Sequence, residues 1–171
     1  YLTINRSELF FADKAICIEG DTERILMPMM MHKVDKKENP SRTVIPLLSQ
    51  NISIIEVGAY SHLFMPLFSF LGTKALIITD IDSVKAEKIT DKKGVERTVY
   101  TSCHPGEGTH TSNVSIKEFF SNDDLDKTSN QFKELVEKRS EDKIRDNIRI
   151  AYQIPEIEGA YQASSFEDAF I

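Results

Sequence analysis

The sequence predicts an α/β protein: a central, mostly parallel sheet of about four strands flanked by helices. Three observations carry that expectation. Short, continuous apolar runs recur at 14–18, 52–57 and 75–79, as strands buried on both faces require. Segments with helical periodicity separate these runs. The resulting order, strand–helix–strand–helix–strand, calls for parallel strands joined by right-handed crossovers.

Each element has a local reason. Residues 5–12 read as a short helix, with Asn5 as its cap and Leu9, Phe10 and Ala12 apolar. The run at 14–18 ends in Glu19-Gly20, after which Asp21 or Thr22 can cap a helix. That helix carries Ile25, Leu26, Met29 and Met30, and Pro28 inside it predicts a kink or a shifted start. Residues 40–50 form a linker, and the strand at 52–57 is stopped by Gly58. Ser61 opens a second helix with Leu63, Phe64, Leu67, Phe68 and Leu71 on its apolar side. Gly72 closes it, and Pro66 predicts a distortion. The strand at 75–79 then runs into Asp80-Ile81-Asp82.

Beyond Ser83 the pattern weakens. Lys92-Lys93-Gly94 marks a hairpin tip with 95–101 alternating behind it, and 103–113 reads as a loop. A short helix is expected at 116–120, one or two charged helices within 123–145, and a fourth strand at 148–152. Ser164 begins a last helix, which Ile171 cuts off; the first residue is not methionine. The sequence is therefore expected to be part of a longer protein. Its core would comprise 13–83 and 147–171, with a helical and loop insertion at about 84–146.

Composition sets limits. Apolar residues make up 40% and charged residues 28% of 171, ordinary values for a soluble globular domain. No stretch reaches the ~20 apolar residues of a membrane helix, and no signal-peptide order opens the chain. Cys17 and Cys103 make neither a disulfide framework nor a metal-ligand pair, so a cytoplasmic setting is expected. The net charge of −6 argues against binding nucleic acid through a broad basic surface. It is compatible with a nuclease, because cations in a carboxylate pocket reverse the local sign.

The chemistry is expected at the carboxyl ends of the strands, where open parallel sheets collect ligands. Glu19 ends the first strand; Asp80 and Asp82 end the third. Glu23, one turn into the helix, can fold back toward the same edge. Four carboxylates converging there cannot all ionise without cations, and an oxygen-only donor set selects Mg²⁺ or Mn²⁺ over zinc. On an extended strand end, residues two apart share a side, so Asp80 and Asp82 could share a metal or bind adjacent ones. Gly20 would allow a sharp turn and bring helix-start N–H groups to a phosphate. Two cations ~4 Å apart suit phosphodiester hydrolysis.

The segment Phe10–Arg24, which contains Ile-Cys-Ile-Glu-Gly-Asp-Thr-Glu, resembles the first Toprim motif of overcoming-lysogenization-defect (OLD) family ATP-dependent endonucleases. Ile77–Ser83 resembles the second motif; Gly108–Asn113, Ile148–Gln153 and Ser165–Phe170 also fit the family. The resemblance implies a Toprim, Rossmann-like fold and a two-metal nuclease acting on DNA. Glu19 and Glu23 match the first acidic pair, and Asp80 and Asp82 the second, with Ser83 beside them as a ligand or water-positioning residue. Glu158 and Glu167 match acidic positions near the last strand and helix; a plain loop carboxylate at 158 and a dipole-favoured Glu167 are the alternatives. Ser165 is a candidate phosphate contact or an ordinary helix-start residue. Lys85, with Lys88, Lys92 and Lys93, either steers DNA or forms a solvated face.

The family carries an ATPase elsewhere in the same protein. With no Gly-x-x-x-x-Gly-Lys-Ser/Thr loop present, no ATP is expected on this chain. A catalytic lysine is expected beyond Ile171, so this stretch alone would hold metal yet cut DNA poorly. Family members tend to form homodimers. Two rival readings stay open: a haloacid-dehalogenase-like phosphatase with Asp80 as nucleophile and Asp82 as acid and base, and a non-catalytic Toprim-like module that binds DNA or a partner. The four histidines, His32, His62, His104 and His110, show no ligand spacing.

Overall fold

Along the chain, the elements of the computed structural model are β1 (Lys14–Ile18), α1 (Asp21–Glu38), β2 (Ile52–Glu56), α2 (Met65–Leu71), β3 (Lys74–Ile78) and β4 (Ser83–Thr90). They continue with β5 (Glu96–Ser102), β6 (His110–Thr111), α3 (Val114–Phe119), α4 (Asn130–Glu137), β7 (Ile144–Arg145) and β8 (Ile148–Ala151). The structure describes residues 4–38, 40–41, 43–91, 93–121, 130–157 and 160–170. Two compact units result: Tyr1–Ile78 with Ile144–Ala151, and Thr79–Lys143 with Tyr152–Ile171.

The first unit holds a five-stranded sheet in the order β2-β1-β3-β8-β7. Four strands are parallel, as the apolar runs require, with Ile16 opposite Ile54 on one side and Leu76 on the other. Ile77 pairs with Ile150. The short β7 adds an antiparallel edge through Ile144 and Arg149, a strand the sequence reading does not contain.

Helix α1 covers one sheet face with Met27 and Met31, which pack on Ile16 and Ile18. Leu47, Ile52, Ile54, Leu76 and Ile78 complete that cluster. Burying two such methionines contributes about 1.5–3 kcal/mol each. The stripe differs from the expected one: Ile25 is 69% and Met29 46% exposed. The buried positions, Glu23, Met27 and Met31, recur every fourth residue, so the sheet selects the line of side chains that begins at Glu23. Pro28 lies within α1 without ending it.

Before α2, residues Gly58–Phe64 form a 3-10 helix that departs from helical geometry at Tyr60. Pro66 sits in the first turn of α2, where a missing N–H costs nothing; it starts the helix instead of distorting its middle. Phe64 and Phe68 are buried, but Leu63, expected beside them, is exposed. Gly72 closes α2 in the left-handed region at φ 68°. The Asn147 amide donates to Phe68 O and Thr73 O at 2.8 and 2.6 Å, tying the loop before β8 to the α2–β3 connection. At the N-terminus, the expected helix is a 3-10 segment, Ile4–Phe10.

The second unit contains the three-stranded antiparallel sheet β5-β4-β6, where the sequence reading expects one hairpin and loops. Glu87 pairs with Val99 in the hairpin, and Ser83 with Thr111. Asp91 Oδ1 accepts the N–H groups of Lys93 and Val95 at the tip, and Gly94 has φ 79°; Lys92 lies outside the described residues. Asn113 caps α3 by accepting the Ile116 N–H at 3.1 Å. Among the described side chains of α4, Phe132 and Leu135 are buried. Of the charged helical region expected within 123–145, residues 123–129 lie outside the described residues.

The last helix expected from Ser164 is absent. Residues 164–167 form bends and turns, followed by one 3-10 turn, Asp168–Phe170. Asp168 Oδ2 accepts both the Ser164 N–H and its hydroxyl, and Ser165 Oγ accepts the Asp168 N–H. These local bonds compete with the helical ladder. Among the described residues, no helix is long and apolar enough to cross a membrane.

Candidate functional site

In the first unit, β1 ends at Ile18, and Glu19 and Gly20 leave its carboxyl end for α1. Glu19 is half-buried and Glu23 is buried. Glu23 Oε2 accepts the Gly20 N–H at 3.1 Å, the carboxylate half of a capping box. That N–H is engaged within the chain. Gly20 is not in the left-handed region, and a Cβ there would meet Glu23 Oε2 at 3.6 Å, an ordinary contact. The chain does bend at Glu19-Gly20, but the bend does not draw on the positive φ that glycine alone reaches readily.

In the second unit, Asp80 and Asp82 lie on the loop between β3 and β4. Asp80 Oδ1 accepts two N–H donors, the Gln153 side-chain amide at 2.6 Å and the Phe166 backbone at 2.8 Å. Gln153 Oε1 in turn accepts the Ile81 N–H at 2.8 Å. Asp82 adopts φ 46°, a left-handed conformation that aspartate tolerates better than most residues. The premise that Asp80 and Asp82 share a side by strand alternation therefore fails, because the backbone leaves the extended form.

Tertiary hydrogen bonds shape this loop instead. Thr111 Oγ1 donates to Ile81 O at 2.6 Å, and the Ser112 N–H to Asp82 O at 2.9 Å. The Asn113 amide donates to Thr79 Oγ1, Asp80 O and Asp82 Oδ2 at 2.8, 2.9 and 3.2 Å. Partial burial pushes the Asp82 carboxyl above its ordinary range, against the opposing pull of the Asn113 bond, although the residue as a whole is exposed.

The other candidates are dispersed. Ser83 is 4% exposed, and its hydroxyl lies 3.5 Å from Cys103 Sγ. Lys85 is exposed on β4 and pairs with Glu87 at 3.5 Å. Ser165 and Glu167 flank Phe166, whose N–H reaches Asp80; Glu167 is exposed and Ser165 Oγ serves the local turn. Glu158 lies outside the described residues. His104 and His110 make local contacts with Gly106 and Thr109. Within neither unit do three described His, Cys, Asp or Glu side chains gather into a ready metal site.

Sequence reasoning assigned no role to Gln153, Asn113 or the Phe166 N–H. One signal was available: Gln153 follows Asp80 by 73 residues, the same offset that separates β3 from its β8 partners, such as Ile77 and Ile150.

In comparison with known proteins, residues 10–82 match the family model described as overcoming lysogenization defect protein-like, TOPRIM domain. A relative, Endonuclease GajA of Bacillus cereus (strain HuB5-5), is 34% identical over 166 residues, 96% of this chain. The aligned region is 20% of that relative, so the chain spans about a fifth of its length.

Proposed function

The chain belongs to the overcoming-lysogenization-defect-like Toprim family, and on that footing we propose that it is the DNA-cleaving domain of a divalent-metal-dependent endonuclease. The observation that carries this reading is the treatment of the two aspartates. One oxygen of Asp80 and one of Asp82 are held by N–H donors. Metal-ligating carboxylates are oriented by such hydrogen bonds. The all-oxygen chemistry fits Mg²⁺ or Mn²⁺.

In this reading Asp80 and Asp82 are the principal ligands, and Glu19 and Glu23 are assigned with them from the first family motif. Glu158 and Glu167 are further candidate ligands, and Ser83 supports the loop from its buried position against Cys103. Two bound cations would generate a nucleophilic water and stabilise the leaving oxygen of a phosphodiester. The chain's own part is to fix Asp80 through Gln153 and Phe166, and Asp82 through Asn113. DNA is the proposed substrate, the ATPase would lie elsewhere in the same protein, and we place the assembly as a homodimer in the cytoplasm.

The relative's name, an endonuclease, supports this substrate. The test is nicking of supercoiled plasmid by the full-length protein with Mg²⁺ or Mn²⁺. Combined Glu19→Gln and Asp80→Asn substitution keeps hydrogen-bond acceptors in place and should abolish cleavage without changing the melting temperature. Undiminished nicking, or phosphorylation of Asp80 by a phosphoryl donor in place of DNA cleavage, overturns the proposal.

A further inference from the structure

Two neutral amides grip the Asp80-Ile81-Asp82 loop from different segments of the second unit. Gln153 binds both the side chain of Asp80 and the backbone of the next residue, at 2.6 and 2.8 Å. Because the Ile81 N–H can only donate, Gln153 must present Oε1 to it, and its NH₂ therefore faces Asp80. Gln153 is itself anchored, since its carbonyl accepts the Gln162 amide at 3.1 Å. Asp80 thus cannot rotate about its side-chain bonds without breaking the Gln153 and Phe166 bonds together.

Asn113 does the corresponding work at Asp82. It is 5% exposed, and its oxygen is committed to the cap of α3. With the oxygen so fixed, the NH₂ group is directed at Thr79, the Asp80 carbonyl and the Asp82 carboxylate. The preceding Ser112 holds the Asp82 carbonyl through both its N–H and its hydroxyl, at 2.9 and 3.2 Å. This set of bonds holds Asp82 in a left-handed conformation that side-chain-bearing residues otherwise disfavour.

We propose that Gln153 and Asn113 are positioning residues for divalent-cation binding: each amide fixes the orientation of one aspartate carboxylate, Gln153 that of Asp80 and Asn113 that of Asp82. The inference rests on the metal-dependent reading above. Neither amide touches the cation; each restricts the carboxylate that does. Losing such an orienting partner lowers metal affinity by about 10–100-fold in comparable sites.

The experiment is Mn²⁺ binding to the full-length protein without DNA, followed by electron paramagnetic resonance and paired with thermal melting. The variants are Gln153→Met, which removes both amide contacts at similar size, and Asn113→Ser, which keeps a capping oxygen but removes the NH₂ donor. Each should weaken Mn²⁺ binding about tenfold or more while melting within a few degrees of the parent. If either variant melts early, its Mn²⁺ binding is read at a temperature at which circular dichroism shows it folded. Parental Mn²⁺ affinity in these variants overturns the positioning role. Asp80→Asn separates the two levels: if the parent and Asp80→Asn bind Mn²⁺ alike, the metal-site reading itself fails. If only Asp80→Asn loses Mn²⁺, that reading stands and the amide inference falls.

Discussion

The Glu23 carboxylate reaches back along the first turn of α1 to accept the Gly20 N–H at 3.1 Å, from a side chain only 5% exposed. This residue thereby caps a helix and also belongs to the proposed metal-binding set. The two roles separate by substitution. Glu23→Gln keeps an acceptor for Gly20 and should leave stability within about 0.5 kcal/mol, whereas Glu23→Ala should cost about 1 kcal/mol. Both should impair Mn²⁺-dependent cleavage. Urea denaturation beside a nicking assay reads the two effects; full activity in Glu23→Gln would confine Glu23 to capping.

Asp82 stands at φ 46°. Glycine reaches that region without a Cβ penalty, and alanine does not. Both Asp82→Gly and Asp82→Ala remove the carboxylate bond to Asn113, so comparing them isolates the backbone. The glycine variant should be the more stable by about 1 kcal/mol, measured by chemical denaturation. Equal stability, or a more stable alanine variant, would contradict the left-handed conformation.

At Gly108, an added Cβ would clash with Ser83 Oγ and lie 2.8 Å from Phe132 Cε1. Gly108→Ala should therefore destabilise the protein by about 1–3 kcal/mol through overpacking. Adding Ser83→Ala removes the closest clash and should recover part of that loss, a coupling that a double-mutant cycle measures. Strict additivity of the two substitutions would argue against the contact.

Asp168 is held below the ordinary carboxylate range by the Ser164 N–H first and then by the Tyr161 hydroxyl, with partial burial opposing and His104 adding a smaller pull. A carboxyl depressed on folding contributes stability that is fully present above its unfolded value of about 3.9. That contribution is lost as pH falls through the lower folded value. Tyr161 fluorescence should report the turn loosening in acid. The difference between the parent and Asp168→Asn should shrink steadily below about pH 4; a difference that grew in acid would have the wrong sign.

The sequence disclosed the architecture where apolar runs leave no choice. Residues 14–18 became β1 without adjustment, and the parallel partners at Ile52–Glu56 and Lys74–Ile78 shifted by no more than a residue at either end. The fifth strand was hidden because Ile144–Arg145 is two residues long and has no period to detect. The α1 stripe was ambiguous because two lines of methionine and aliphatic residues overlap, and only the sheet beneath decides between them. The Asp-x-Asp pattern was visible, but its left-handed turn was not, since aspartate is compatible with both extended and left-handed backbone. Gln153 and Asn113 escaped notice for a related reason. An amide has no sequence signature until the loop that it binds has been placed in space.

The most direct test of the metal-site reading is anomalous diffraction from crystals of the full-length protein soaked in Mn²⁺. We expect Mn²⁺ coordinated by carboxylate oxygens of Asp80 and Asp82 at about 2.1 Å, with the Gln153 and Asn113 bonds kept. Mn²⁺ bound elsewhere, with Asp80 and Asp82 leaving no anomalous signal between them, would contradict the account.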